Sequence, residues 1–242
     1  MDFGRIAFGV RCGGADPVFF QSWTHFLCAG KDRGGLRPGD AVLTPSVELP
    51  HHWAANVLVN QFMKHTECDT LMLLDDDMQF TPTHVAALRD HAENHSFDIV
   101  QGLCCSRKPP HGPIVMADAG NGRTIELRPS KTCKTHPVGL VGLAFTLIRR
   151  SAFEAVSPTL DAPGMYFAWG GNGLGEDATF CELAKAADMR LGVDARVPVS
   201  HRCTVGIEYD INDGRTKMHA YQNPGFRDLL AVVNEKIQKE AK

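Results

Sequence analysis

Leu71-Met72-Leu73-Leu74-Asp75-Asp76-Asp77-Met78 sets the architecture of this 242-residue chain. Four apolar residues run directly into three acids, and Gln79-Phe80-Thr81-Pro82 then opens a helical pattern. An all-apolar run of that length between turn signals reads as a strand buried on both faces, as in a parallel sheet. In open α/β sheets, the residues just past a strand's carboxyl end face the ligand crevice. Three carboxylates placed there repel one another unless a cation holds them. A helix-capping acid accounts for one of them and leaves two unexplained. Asp75 and Asp77, alternate residues of an extended chain, can point the same way and share a hard cation through oxygen. An EF-hand is excluded, because the position that needs Gly holds Phe80 and the bidentate Glu is missing.

Upstream, residues 6–10 read as a first buried strand, followed by Arg11-Cys12-Gly13-Gly14. Glycines in such a turn let backbone N–H groups approach a nucleotide, although the dinucleotide fingerprint G-x-G-x-x-G is absent. Helices are predicted over 19–29 and 51–65, with a strand over 40–44 between them. Downstream, Thr81 and Pro82 start a further helix, and residues 97–101 form a strand. The alternation of strand and helix predicts a Rossmann-like α/β domain with a mostly parallel central sheet and helices on both faces. Residues 102–137, with five prolines, read as a loop and hairpin insertion over that sheet. The apolar run at 138–148 returns to the core and ends in Arg149-Arg150. Two strand-like runs, 190–193 and 196–199, then lead to His201, and the tail from Pro224 reads as a terminal helix.

Two further features carry chemistry. Gly175-Glu176-Asp177 opens an amphipathic helix after a run holding Gly170, Gly171, Gly173 and Gly175. Acids in a first helical turn complement the helix dipole. The glycines exceed what a cap requires, and such a loop can present a carboxylate as general base. His201 added to two aspartates makes an Asp/Asp/His set, whose mixed oxygen and nitrogen donors suit Mn2+ and tolerate Mg2+. Arg107-Lys108 in the Pro-rich stretch is a candidate pyrophosphate contact, and Arg149-Arg150 a weaker candidate phosphate clamp.

With 25 basic and 28 acidic residues, the chain is not built as a nucleic-acid coat or a membrane-surface protein. No apolar run approaches the length of a membrane-spanning helix, and the expected location is the cytoplasm. The eight cysteines show no C-x-x-C spacing and read as reduced thiols.

Taken as an ordered set, these parts resemble the GT-A glycosyltransferases, and most closely the small family 2-like members of bacteria and phages. The parts are an apolar strand with D-x-D (Leu71 to Asp77), a Pro-started helix, and a G-x-G-type strand ending in basic residues (Gly139 to Arg150). A G-E-D helix (Gly175 to Phe180) and a late histidine (His201) complete the set. The resemblance implies a catalytic domain over 1–201 and a C-terminal extension over 202–242. It implies transfer of a sugar from a nucleoside-diphosphate sugar, a UDP-sugar, to an acceptor hydroxyl. Asp75, Asp77 and His201 would hold Mn2+ or Mg2+; Arg11, Asn56, Asp75, Asp76, Lys108 and Gly142 would face the donor. Asp177, with Glu176 beside it, would be the base that deprotonates the acceptor, with inversion at the anomeric carbon. The acceptor is open: a phage-type modified DNA base served by Arg107, Lys108, Lys131, Lys134 and Arg149-Arg150, a glycan, a protein or a small molecule.

Two other readings stand beside this one. A sugar nucleotidyltransferase shares the sheet and the acids but begins with a Gly-rich basic signature loop, which Arg11-Cys12-Gly13-Gly14 only faintly echoes. A metal-dependent glycan-binding module would need the metal acids and no base.

Overall fold

Residues 70–75, the strand that ends at the acids, are buried throughout. Leu71 and Leu73 enter one hydrophobic cluster, and Met72 and Leu74 enter another on the opposite face. Each of these side chains gains about 2 kcal/mol on leaving water, which is why the run carries no polar residue. The computed structural model describes residues 4–14, 16–44, 46–47, 49–94, 96–106, 112–120, 123–126, 135–170, 173–202, 205–210 and 215–220. The predicted helix from Pro224, together with Arg107, Lys108, Lys131 and Lys134, lies outside the described residues.

The first half of the chain runs β1 (Ile6–Cys12), α1 (Pro17–Cys28), β2 (Ala41–Val42), β3 (Ser46–Val47), α2 (His51–His65), β4 (Thr70–Asp75), β5 (Met78–Gln79), α3 (Pro82–Asn94) and β6 (Ile99–Leu103). A hairpin region follows, with β7 (Val115–Gly120), β8 (Arg123–Glu126), β9 (Thr135–Pro137) and β10 (Leu140–Val141). Then come β11 (Phe145–Arg149), α4 (Arg150–Val156), α5 (Glu176–Ala186), β12 (Leu191–Pro198), β13 (Ser200–Arg202), β14 (Val205–Asp210) and β15 (Arg215–Ala220). The central sheet is ordered β2-β1-β4-β11-β6-β12-β9, with β3 also paired to β1. Helices α2, α4 and α5 supply the cluster on one face; α1 and α3 supply the other. The fold is thus the mostly parallel, two-face-covered α/β sheet that the sequence predicts.

Four differences from the sequence reading have physical causes. Strand β11 runs antiparallel to both β4 and β6, and β9 antiparallel to β12. A strand buried on both faces has the same composition in either direction, so its polarity is not legible. The 138–148 run is two strands: β10 joins β7 and β8 in a separate sheet, and the chain turns at 142–144 before β11. The predicted strand at 40–44 shrinks to two residues, because the buried Asp40 carboxylate is taken by Arg89 (2.6 and 3.0 Å) and by the Ile6 and Arg37 amides (2.8 and 2.9 Å). The runs at 190–193 and 196–199 are one strand with a register shift between Asp194 and Pro198, where Asp194 turns inward to His91 (2.8 Å) and Arg196 (2.6 Å).

Arg149 and Arg150 lie at the end of the sheet opposite the acids, since Arg149 pairs with Thr70 at the start of β4. Both guanidinium groups cap helix ends. Arg150 donates to the carbonyls of Phe62, Met63, Thr66 and Cys68 (2.8–3.3 Å) and stacks 4.3 Å from the centre of the Phe62 ring. Arg149 donates to the carbonyls of Ala92 (2.5 Å) and Phe97 (3.2 Å), at the end of α3. These contacts satisfy carbonyls that a helix leaves unpaired and replace the expected phosphate-clamp and nucleic-acid roles of the pair. Cys12, Cys28, Cys68, Cys104 and Cys181 are free thiols. Among the described residues no helix is long and apolar enough to cross a membrane. Replacing Arg150 by Ala should lower the unfolding free energy by about 2–3 kcal/mol in chemical denaturation, through orphaned carbonyls and the lost ring contact. Arg150→Lys should recover less than half of that, because an ammonium cannot span the same carbonyls.

Candidate active site

The carboxyl ends of β1 and β4 lie side by side, with Arg11 and Asp75 paired in register. Because β11 is antiparallel, the turn that precedes it arrives at this same end, and the Asp75 amide donates to the Ala144 carbonyl (2.8 Å). Beyond Asp75 the chain is pinned by Phe80, buried against Phe145 (ring centroids 5.2 Å apart). Between these two anchors, β5 pairs with β13, matching Met78 to His201. The Arg202 amide also donates to the Asp77 carbonyl (2.8 Å). This pairing is what carries His201 across to the aspartates.

One ligand atom from each of Asp75, Asp77 and His201 lies within 4.8 Å of the others. His201 is buried, and its Nδ1–H donates to the Cys105 carbonyl (3.0 Å), so that in the neutral ring Nε2 carries the lone pair. That Nε2 accepts no hydrogen bond and stands 3.4 Å from Asp77 Oδ1. Two lone-pair atoms at this separation repel unless a cation or proton lies between them. A histidine with one nitrogen held by a backbone carbonyl and the other aimed at carboxylates is arranged as metal-binding histidines are. The group therefore fits a divalent ion, with donors of the type Mn2+ and Mg2+ accept.

Asp177 faces this group from α5. Its Oδ2 accepts the Leu143 amide (3.3 Å), while its Oδ1 is closed off from solvent and has no hydrogen-bond partner. Burial pushes its carboxyl up to about 6; Arg11 opposes the rise, while Glu176 and Asp75 add to it. Gly142 lies beside this carboxylate. A Cβ there would stand 3.2 Å from Ile114 Cγ2 and 3.5 Å from Asp177 Oδ2. The Gly142 backbone is fixed on both sides, its amide donating to Gln101 Oε1 (2.9 Å) and its carbonyl accepting from the Thr146 hydroxyl (2.6 Å). Gln101 is fully buried in β6 and was missed by sequence reasoning. A lone polar residue inside Ile99-Val100-Gln101-Gly102-Leu103 was the signal that could have found it.

The other expected donor contacts are engaged with the protein itself. Arg11 is 5% exposed, and its Nε is 2.6 Å from Asp75 Oδ1. Asp76 turns to the Gly13 and Gly14 amides (2.8 and 2.9 Å), so the amides expected to face a nucleotide hold a carboxylate of the chain. Asn56 is buried, donates to the Phe167 carbonyl (2.8 Å) and accepts the Phe167 amide (2.9 Å). Its amide thereby anchors the segment that leads into α5. Lys108 lies outside the described residues.

With this geometry in place, comparison with known proteins is informative. Residues 47–157, which contain β4 and the acids, match the family described as Glycosyl transferase family 2. The crystal structure of A197 from STIV superposes with a TM-score of 0.57 at 17% identity, covering 90% of this chain and 95% of that one. The chain has the GT-A fold. The crystal structure of GalNAc-T7 with UDP, GalNAc and Mn2+ is also similar, with a TM-score of 0.54 at 9% identity. That likeness covers 83% of this chain, which spans 44% of the GalNAc-T7 chain. No curated protein sequence matches it. The match over residues 47–157 and the fold together support glycosyl transfer as the activity.

The shifted carboxyl of Asp177 also sets a pH dependence of stability. Its proton is held more tightly in the folded than in the unfolded chain. The stabilisation from that proton is therefore complete below the ordinary carboxylate value near 4 and lost as pH rises through about 6. In metal-free protein, Asp177→Asn should be more stable than wild type at pH 7 by about 2 kcal/mol. Thermal melts across pH should show that advantage vanishing below about pH 4.

Proposed function

We propose that this protein is a metal-dependent glycosyltransferase that moves a sugar from a UDP-sugar to an acceptor hydroxyl, with inversion at the anomeric carbon. The observation that carries this reading is the placement of Asp177, with a solvent-excluded and partnerless Oδ1, across the sheet end from Asp75, Asp77 and His201. A module that only bound glycans would have no use for a carboxylate held this way. A nucleotidyltransferase would be expected to offer a basic Gly-rich loop, whereas the amides of Gly13 and Gly14 are filled by Asp76. The UDP and Mn2+ in GalNAc-T7 belong to a protein of the same fold and accord with the donor and ion proposed here. The domain boundaries proposed are a catalytic unit over 1–201 and an extension over 202–242.

Asp75, Asp77 and His201 would hold the ion. Bound there, it supplies positive charge where a departing nucleoside diphosphate gathers negative charge. The remaining roles fall to the chain. Asp177, whose carboxyl titrates at about 6, is ionised at neutral pH and basic enough to accept the acceptor's proton on its free oxygen. Glu176 lies beside it at the start of α5 and adds to its basicity. The Leu143 amide fixes the other oxygen, which leaves Oδ1 for the acceptor's proton. Arg149 and Arg150 are committed to helix ends, so they add no weight to a DNA acceptor.

Incubating the protein with a panel of nucleotide sugars and Mn2+, with glycan, peptide and hydroxymethylated-DNA acceptors, tests the proposal. Release of UDP and a product of inverted anomeric configuration by NMR are expected. Pyrophosphate release from a sugar 1-phosphate and a nucleoside triphosphate would favour the nucleotidyltransferase instead. Asp77→Ala should abolish Mn2+-dependent donor binding in calorimetry. Asp177→Ala should bind donor as wild type does while turnover falls about 10²–10⁴-fold.

A further inference from the structure

Arg11 stands in the middle of the acids, and the proposed reaction gives it no task. It lies on β1 directly across the register from Asp75, with its guanidinium almost fully withdrawn from water. Its Nε meets Asp75 Oδ1 at 2.6 Å. A guanidinium cannot discharge itself by losing a proton at any ordinary pH, so burial there is tolerated only with acids around it. Burial favours loss of its proton, yet Asp75, Asp177 and Glu176 together hold that proton more firmly than usual. One side chain therefore touches the metal group through Asp75 and acts on the base through Asp177.

We propose that Arg11 is a resident counter-charge that occupies Asp75 in the metal-free protein and competes electrostatically with the divalent ion for the aspartate cluster. This rests on reading Asp75, Asp77 and His201 as the metal site. Without an ion, the acids at this sheet end repel one another, and Arg11 keeps them together. When an ion binds, a second cation arrives on a carboxylate that already serves Arg11, and the two cations oppose each other. The affinity for the bare ion is held down in consequence. A doubly charged diphosphate would relieve that opposition, since it offers both cations a common partner.

The test is calorimetric titration of Mn2+ into metal-free wild type, Arg11→Gln and Arg11→Lys. Glutamine keeps a donor for Asp75 and removes only the charge. Arg11→Gln should bind Mn2+ about tenfold more tightly than wild type, melt at a lower temperature without metal, and regain the loss with Mn2+. Arg11→Lys, which keeps the charge, should stay within about twofold of wild type. An Arg11→Gln protein that folds only when Mn2+ is present supports the proposal equally, because the ion then replaces the missing charge. Unchanged or weaker Mn2+ binding by Arg11→Gln overturns it and makes Arg11 a residue that merely orients Asp75. So does tenfold tighter binding by Arg11→Lys. If wild type and both variants fail to bind Mn2+, the metal reading itself falls, and this inference with it.

Discussion

A carboxylate can be buried at the end of a strand covered on both faces only if opposite charge is brought against it. That constraint organises one whole end of this protein. Strand β4 is fixed in place by its apolar side chains, so Asp75 has no freedom to retreat into solvent. Arg11 arrives on the neighbouring strand, and His201 arrives by way of a small second sheet. Asp177 comes on α5, held by the Leu143 amide. Each of these approaches costs something: a buried guanidinium, a histidine with an unused nitrogen, a carboxyl with a raised proton affinity. Stability given up at one end of a sheet whose other end is firmly bonded is the pattern expected of a functional site.

Much of this was legible in the residues, and the limits have definite causes. Helix α2 takes the bounds expected from its apolar periodicity, because one face packs on the sheet and the other meets water. Asp75, Asp77 and His201 were singled out because three acids after a buried strand need a cation, and the structure brings them together. The polarity of β11 was hidden, since a strand covered on both faces reads alike in both directions. The split of the 138–148 run was hidden by its uniform apolarity, although Gly142 marked the place. Asp76 read as a donor-facing residue, yet its carboxylate turns to the Gly13-Gly14 amides, a choice set by backbone geometry that composition does not record. Arg149 and Arg150 looked like a ligand clamp because a sequence shows charge but not which carbonyls lie within reach.

The two ends of the sheet are thus built on different principles. At the base, arginines donate to carbonyls that helices leave open. At the acid end, Asp177 Oδ1 and His201 Nε2 are withdrawn from water without hydrogen bonds of their own. Native interiors rarely leave polar atoms in that condition, and where they do, a ligand commonly completes the bonding.

The position of His201 has one more consequence. It sits on β13, which belongs with β5, β14 and β15 in a sheet of its own, whereas Asp75 belongs to the central sheet. An ion shared between them would knot together two segments far apart along the chain, as a disulfide does, and would remove much of the freedom of the long intervening loop. The same ion would then serve as a clasp between the two sheets, and its departure would loosen the entire small sheet along with the site.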